Sequence, residues 1–328
     1  MQRALRPWIA PIALALLTIV ALCAGRYPIS PGELWQALTG QGEDAASNVL
    51  WQIRMPRVLG GLAVGAALAA AGATYQGLFR NPLVSPDILG VTGGASLGAV
   101  LGIYFGLPVV GVQLMAFAGG LGAVVMVYAI GARLRAYDPL LVLVLAGVAV
   151  GALLSAGVSL IKVLADPYEQ LPAITYWLLG SLASVTSGDV IAAAPAMLIG
   201  LVPMALLRWR MNIMSLDDDE ARALGLNTKL LRGALIVGAT LATAAAVSIT
   251  GVVGWVGLLI PHIARLIVGP DFTRLLPASI MLGGGFLIGI DVIARSVAPT
   301  EIPLGVLTAA VGAPFFLYLL SISHRGWR

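Results

Sequence analysis

Few residues in this 328-residue sequence have the types and spacing that chemistry requires, and the clearest pattern surrounds a serine. Gly94-Ala-Ser96-Leu-Gly98 matches the Gly-x-Ser-x-Gly motif of serine hydrolases and of some intramembrane proteases. A nucleophilic serine needs a base within hydrogen-bonding reach, and His262 is the one candidate inside an apolar segment. Both glycines also belong to a longer glycine ladder. We therefore predict a packing role, with an intramembrane serine protease as a weaker alternative.

The sequence gives little support for a metal-binding site or a nucleotide-binding site. The two histidines, His262 and His324, and the single cysteine, Cys23, are too few for the usual zinc sites. The phosphate-binding pattern Gly-x-x-x-x-Gly-Lys-Ser/Thr does not occur. We predict no catalytic residue, no metal site and no cofactor in this chain. If ATP drives the process it serves, another subunit must hydrolyse that ATP.

The composition places the chain in a membrane. Hydrophobic residues make up 59% of the sequence and charged residues 10%, with a mean hydropathy of +0.96. Soluble proteins carry about 25% charged residues, so a soluble enzyme is excluded. The net charge is +4, but no basic run with interleaved aromatic residues points to nucleic acid. We predict an all-α integral membrane protein with a single transmembrane domain, residues 1–328.

Charged residues and Pro/Gly breaks divide the sequence into ten apolar segments. A helix needs about 20 apolar residues to cross the hydrocarbon core, and shorter or broken helices are tolerated where protein covers them. The predicted spans are 7–25, 57–79, 88–105, 109–131, 140–163, 190–208, 229–250, 251–268, 274–296 and 303–323.

The basic residues predict the orientation of these spans. If the N-terminus is cytoplasmic, 14 of the 19 Lys and Arg residues lie inside. The five left outside are Arg26, Arg54, Arg57, Lys162 and Arg295. This asymmetry fits the positive-inside rule. With an even number of spans, both termini are then cytoplasmic.

Glycines recur every four residues along the third predicted span, at positions 90, 94, 98, 102 and 106. On a helix such glycines fall near one face and let two backbones approach closely. We therefore expect the third span to be buried among other helices. Asp291 precedes Arg295 by four residues, a spacing that allows an ion pair on one helix face near the outer surface.

Two regions outside the spans are long enough to bind partners. Residues 26–57 form a predicted outer loop, and residues 208–232 form a highly charged inner region. In the inner region, Ser215 could cap an acidic helix over 216–226. The carboxylates of its first turn would then meet the positive end of the helix dipole.

Several motifs resemble one family closely, the permease subunits of type II ABC importers for iron-siderophore, haem and cobalamin. They run in family order from about residue 54 to residue 314. The matching segments are Arg54-Met-Pro-Arg57, Gly65-Ala-Ala-Leu-Ala-Ala-Ala-Gly72, Gln76-Gly-Leu-Phe-Arg-Asn81-Pro82-Leu83-Val-Ser-Pro86-Asp-Ile-Leu-Gly90, Tyr176-Trp-Leu-Leu-Gly180, Glu220-Ala-Arg-Ala-Leu-Gly225, Gly257-Leu-Leu-Ile-Pro261-His262-Ile-Ala-Arg265, Asp291-Val-Ile-Ala-Arg295 and Glu301-Ile-Pro303-Leu-Gly305.

The resemblance implies the type II importer permease fold and a set of partners. These are a second copy of the chain, two ATPase subunits that use ATP and magnesium, and a periplasmic solute-binding protein. The implied setting is a bacterial inner membrane. Residues 26–57 would be periplasmic, and residues 208–232 would be the cytoplasmic coupling region. The chain would not itself be an enzyme.

The resemblance also implies roles for individual residues, carried over position by position. The implied docking residues for the binding protein are Arg54, Arg57 and Arg295. The implied ATPase-coupling residues are Glu220, Ala221 and Gly225. The implied cytoplasmic gate consists of Asn81 and Leu83. A second gate strip departs from the cobalamin members, because Leu140 and Leu141 stand where those members carry small hydroxyl residues.

The substrate follows less directly from the sequence. Pro86-Asp-Ile-Leu-Gly90 and Asp166-Pro-Tyr-Glu-Gln170 favour an iron-siderophore, with haem next. Cobalamin and molybdate importers of the same class are alternatives. An ion-coupled secondary transporter is another alternative, but it is expected to bury carboxylates near the bilayer midplane. Asp291, the nearest candidate, is predicted to pair with Arg295.

Overall fold

The computed structural model describes residues 2–42, 44–133, 139–216 and 218–323, and these residues form helices and connecting segments without a strand. Ten of the helices are apolar. They are α1 (Gln2–Cys23), α4 (Met55–Leu78), α5 (Val91–Tyr104), α6 (Val109–Arg133), α7 (Pro139–Leu164), α9 (Ser187–Leu206), α12 (Thr228–Thr250), α13 (Val256–Val268), α14 (Phe272–Ser296) and α15 (Leu304–Ser323). Five short helices complete the set: α2 (Pro31–Leu38), α3 (Asp44–Asn48), α8 (Gln170–Leu179), α10 (Arg208–Ile213) and α11 (Asp218–Ala223).

Each predicted span overlaps one of the ten apolar helices. Among the described residues, six helical stretches are long and apolar enough to cross a membrane, and four more apolar stretches are shorter. The predicted all-α membrane architecture is thus confirmed, with a helix count close to the predicted ten spans. We call the end where α1 and α14 finish the outer end, and the end where α4 and α13 finish the inner end, after the predicted orientation.

Helix α4 is the centre of the bundle and packs against α9, α12, α13 and α14. Its sequence is rich in alanine and glycine, and most of its residues are buried. Gly65 lies against the backbone of Gly283 on α14, and Gly72 lies against the backbone of Gly257 on α13. Small residues allow this approach, which packs helices tightly where lipid supplies no hydrophobic drive.

Three of the five ladder glycines, at positions 94, 98 and 102, pack against α6, whereas Gly90 and Gly106 lie outside α5 with φ of 76° and 66°. A Cβ on Gly94 would collide with the Gly119 carbonyl, and a Cβ on Gly98 would lie 2.7 Å from the Met115 carbonyl carbon. No residue of 91–104 is exposed. The expected burial of the third span is therefore confirmed. Ser96 is also buried, but two residues from each glycine it lies off this face, and the contact with α6 alone accounts for the glycines on either side of it.

The break predicted near Gly251 separates α12 from α13. Gly251 and Trp255 both have left-handed backbone conformations, with φ of 69° and 71°. The freed Thr250 carbonyl accepts a hydrogen bond from the Ser181 N–H at 2.8 Å. A buried carbonyl needs such a partner, and here the segment between α8 and α9 supplies it.

Residues 26–57, predicted as a loop, are largely helical in the described structure. Ser30 and Glu33 form a reciprocal capping box, and Pro31 occupies the first turn of α2. These residues stabilise a helix start. A π-helical segment, Val49–Arg54, then leads directly into α4. The outer region is therefore an ordered helical cap that continues into the central helix.

The Gly72 contact yields a testable prediction. Gly72→Ala places a Cβ 2.7 Å from Gly257 Cα, closer than real Cβ atoms come, so α4 and α13 must separate. Overpacking of this kind costs about 1–3 kcal/mol. We expect a lower midpoint of thermal unfolding for the detergent-purified chain.

Gly122→Ala on α6 is the matched control, because a Cβ there meets nothing within 4 Å. We expect its midpoint to be unchanged or slightly higher, since alanine favours helix more than glycine does. Equal midpoints for the two variants would contradict close backbone packing at Gly72.

Candidate functional site

Arg57 is the centre of a buried charge cluster at the outer end. Its Nε donates to Asp291 Oδ1 at 2.6 Å, and its two terminal nitrogens donate to the Glu301 carboxylate at 3.0 and 2.9 Å. Asp291 is also 3.3 Å from Arg295 Nε, which confirms the predicted ion pair on α14. The first turn of α4 is thereby joined to the end of α14 and the segment before α15.

Arg54 and Arg295 donate hydrogen bonds to backbone carbonyls at the C-terminal end of α1. Arg54 donates to backbone carbonyls of Leu22, Cys23 and Tyr27, and Arg295 donates to those of Ala21 and Ala24. The last carbonyls of a helix have no partner within the helix and carry a partial negative charge. Two guanidinium groups from distant parts of the chain supply the missing donors.

The three implied docking arginines are therefore neighbours, but they are not exposed. Arg54, Arg57 and Arg295 have exposed fractions of 3%, 5% and 6%. The Glu301 side chain, at 29%, is the more accessible member of the ion pair with Arg57. A role in docking stays a prediction, and it requires a partner that reaches these guanidinium groups or displaces Glu301.

The implied gate residues lie in the turn that separates α4 from α5. Asn81 and Leu83 are both exposed. The Asn81 side-chain oxygen accepts the Leu83 N–H at 2.9 Å, and Pro82 and Pro86 prevent a continuous helix. Leu83 is thus held on the surface by a local turn, which leaves it free to contact another molecule.

Arg80 links this turn to the inner charged region. It has a left-handed backbone conformation, with φ of 49°, directly before Asn81. Its guanidinium donates to the Met214 carbonyl at 3.2 Å and to the Leu216 carbonyl. Both acceptors lie between α10 and α11. A displacement of that segment therefore acts directly on the residue next to the gate turn.

The implied coupling residues lie on and just after α11. Glu220 is exposed, whereas Ala221 is buried. Gly225 has φ of 81°, and a Cβ there would meet nothing within 4 Å, so glycine is required for its backbone conformation. Two of the three positions are thus available to a partner, and the buried one anchors α11.

The acidic helix is shorter than predicted. It covers Asp218–Ala223 instead of 216–226, and the backbone turns at Gly225. The Ser215 hydroxyl donates to the Asn212 carbonyl at 2.6 Å and so extends the end of α10. The expected capping role of Ser215 is not seen among the described residues, and Asp217 lies outside them.

Asn212 joins α10 to the start of α14. Its side-chain amide donates to Asp271 at 2.8 Å, and its side-chain oxygen accepts the Phe272 N–H at 2.8 Å. The Asn212 amide, together with the Thr273 hydroxyl and N–H, lowers the pKa of the Asp271 carboxyl below its usual value. The carboxylate is therefore retained as the N-terminal cap of α14 at neutral pH.

The sequence motifs contained Arg80 and Glu301 without indicating their partners. Arg80 pairs with carbonyls more than 130 positions away, and Glu301 pairs with an arginine 244 positions away. Local spacing carries no signal for contacts of this range. Asn212 was missed for the same reason, because it has no charge and lies in no quoted motif.

In the part of the chain that is described, the remaining candidate residues do not form a catalytic or metal-binding site. Ser96 and a histidine are not joined there by a hydrogen bond, and no group of three His, Cys, Asp or Glu residues is placed to hold a metal ion. Leu141 is exposed on α7, and the side chain of Leu140 lies outside the described residues.

Comparison with known proteins identifies the architecture. The model of the FecCD transport family matches residues 13–321. A probable iron chelatin transport system permease protein of Helicobacter pylori is 39% identical over 318 residues, which cover 94% of this chain and 96% of that protein. The cobalamin import system permease protein BtuC of Halobacterium salinarum is 42% identical over 328 residues, covering 94% and 88%.

A solved structure agrees over the whole bundle. The chain is similar to one from a metal-chelate type ABC transporter in an inward-facing conformation, with a TM-score of 0.89 and 36% identity. The match covers 98% of this chain and 99% of that one. From the family match and these extensive likenesses, the chain belongs to the FecCD transport family.

Proposed function

We propose that the chain is the membrane permease of an ATP-driven importer that carries a metal chelate, an iron-siderophore in the first place, into the bacterial cytoplasm. The observation that carries this proposal is the Arg80 link, which ties the gate turn to the charged inner region. A permease that is driven by a separate ATPase needs a connection between the segment that the ATPase moves and the gate. Haem is the next candidate substrate, followed by cobalamin and molybdate.

The working unit in this proposal contains two copies of the chain, with the path between them and an ATPase subunit below each copy. ATP binding and hydrolysis in the partners would move α10 and α11. Arg80 would transmit this displacement to Asn81 and Leu83, and Asn212 would transmit it to α14. Coupling requires two global states that the partners bias differently. The chain itself forms and breaks no covalent bond.

The outer cluster supports docking of a solute-binding protein at the opposite end. Three arginines there face two carboxylates, so the cluster retains one net positive charge. Carboxylates of a docked protein would compete with Glu301 for Arg57 or would neutralise the remaining charge. Guanidinium groups suit this exchange, because their fork binds carboxylates bidentately. Docking would then loosen the contact between α4 and the segment before α15.

The substrate proposal rests on relatives and on two sequence motifs. One relative is named for iron chelatin and another for cobalamin, at similar identities to this chain. The motifs around Asp87 and Asp166 favour the iron chelate. A direct test is to purify the cognate binding protein and to screen ferric siderophores, haem, cobalamin and molybdate by fluorescence quenching. Binding of cobalamin or molybdate alone would overturn the iron assignment and leave the importer class intact.

The energy source separates the importer from an ion-coupled secondary transporter. In proteoliposomes that contain the chain, the ATPase and the loaded binding protein, we expect substrate uptake only when ATP reaches the ATPase. An ion gradient without ATP should give no uptake. Uphill transport by the chain alone, driven by such a gradient, would overturn the proposal.

Arg80→Gln tests the link between the coupling region and the gate. It removes charge-assisted hydrogen bonds, worth about 1.5–3 kcal/mol each, to the Met214 and Leu216 carbonyls. We expect ATP hydrolysis by the assembled complex to persist while substrate uptake per ATP falls at least about tenfold.

Arg210→Gln is the control for Arg80→Gln, because Arg210 is an exposed arginine of the same region that stacks over Trp209 at 5.0 Å. It should keep the normal ratio of uptake to hydrolysis. If Arg80→Gln kept that ratio too, Arg80 would have no role in transmission.

Glu301→Gln tests competition in the outer cluster. It removes one of the two carboxylates that hold Arg57, so a carboxylate of the binding protein meets less competition. We expect a tighter complex with the binding protein, by roughly fivefold at low salt, and a smaller gain at high salt. Surface plasmon resonance on the reconstituted complex measures both.

Glu169→Gln, an exposed carboxylate change beside α8, should leave the affinity for the binding protein unchanged. A thermal unfolding curve for each variant separates docking from damage to the fold. Weaker binding by Glu301→Gln at unchanged thermal stability would show that Glu301 itself contacts the binding protein and does not compete with it.

A further inference from the structure

A groove of about 440 Å³ runs between α9 and α12 on the outside of the bundle. Its wall is formed by apolar side chains and glycine, and one lysine stands at its inner end. The residues that matter here are Ile199 and Pro203 on α9, and Lys229, Gly233 and Val237 on α12. The groove is separate from the outer cluster and from the gate turn described above.

The groove lies where the contact between α9 and α12 becomes looser towards the inner end. The helices are closest at Gly200 and Gly238, where a Cβ on Gly238 would lie 2.9 Å from the Gly200 carbonyl oxygen. Towards the inner end, a Cβ on Gly233 would meet nothing within 4 Å. Pro203 lacks the N–H that would continue the regular hydrogen bonding of α9. The contact between α9 and α12 therefore widens into the groove along Gly233.

The apolar walls of the groove are suited to contact with a hydrocarbon chain. Ile199 and Val237 are 61% and 58% exposed, and only 22% of the apolar stretch of α9 is buried in the described structure. In a chain that spans a membrane, an apolar helix face without a protein neighbour contacts lipid tails. An acyl chain seated there would replace missing packing between α9 and α12.

Lys229 makes the inner mouth of the groove positive. It is exposed in the first turn of α12, next to the Asn227 cap, and it has no ion pair among the described residues. The start of a helix carries a partial positive charge that favours anions. Arg208 and Arg210 follow the end of α9 at the same end of the bundle. Basic pockets between membrane helices bind anionic lipid headgroups.

We propose that this groove is a binding site for an anionic phospholipid, with one acyl chain along Gly233 and the phosphate group at Lys229. An amphiphile with hydrocarbon on one side and an anion at its end matches both features of the site. A free anion would leave the apolar groove empty, and a lipid without net charge would attract Lys229 less, because its own ammonium group offsets its phosphate.

The test uses native mass spectrometry of the purified full-length chain. It is titrated with phosphatidylglycerol or phosphatidylcholine that carry the same acyl chains. We expect phosphatidylglycerol to bind more tightly than phosphatidylcholine. Lys229→Gln should weaken phosphatidylglycerol about fivefold, which corresponds to about 1 kcal/mol for one basic residue at a membrane surface. It should weaken phosphatidylcholine less, because the headgroup of that lipid has no net charge.

Three further variants complete the design. Gly233→Leu fills the groove and should reduce the binding of both lipids. It is expected to fold, because the added atoms enter open space. Lys162→Gln removes a cation at the other end of the bundle and is the matched control, with unchanged binding of both lipids. Lys229→Glu should weaken phosphatidylglycerol more than Lys229→Gln does.

Several outcomes would overturn the proposal. Equal binding of the two lipids, or no effect of Lys229→Gln, would remove the headgroup assignment. Displacement of phosphatidylglycerol by millimolar inorganic phosphate would indicate a site for a free anion. Loss of a dimer mass by Gly233→Leu, with lipid adducts unchanged, would show that the groove holds a second copy of the chain.

Discussion

Hydrocarbon offers no hydrogen-bond partner to a backbone N–H or C=O group, and this constraint decides where the chain can depart from a helix. Two of the irregular segments discussed above are matched by a donor from elsewhere in the chain. Arg54 and Arg295 serve the end of α1, and the Ser181 N–H serves the break after Thr250. At these two places, irregular backbone lies where distant segments meet.

The same constraint explains why arginines stand at both ends of the bundle. A guanidinium group keeps its charge and can satisfy several carbonyls at once. Arg80 does this at the inner end for two carbonyls of the segment between α10 and α11. Hydrogen bonds between a guanidinium group and backbone carbonyls are strong. Breaking them costs free energy, because the buried groups are left without a partner. These hydrogen bonds therefore suit positions where a partner must supply energy to move one segment relative to another.

The sequence predicted what depends on local pattern and missed what depends on distant pairing. Apolar segments gave the ten helices, the glycine ladder gave the α5 contact, and spacing gave the ion pair of Asp291 and Arg295. The positive-inside rule sorts charges by side of the membrane and carries no information on depth. It could not show that Arg57 is buried. The role of Glu301 likewise depends on a contact across 244 positions.

Selection of the substrate is not expected to lie in the parts of the molecule that are best defined. The outer cluster, the glycine contacts and the Arg80 link hold helices together or connect them, and none of them presents a shaped polar pocket. Relatives named for iron chelatin and for cobalamin are about equally identical to this chain. A common framework that serves different cargo must leave recognition to variable surfaces. We therefore expect selectivity to lie in exposed side chains outside this framework and in the partner that the proposed importer would use.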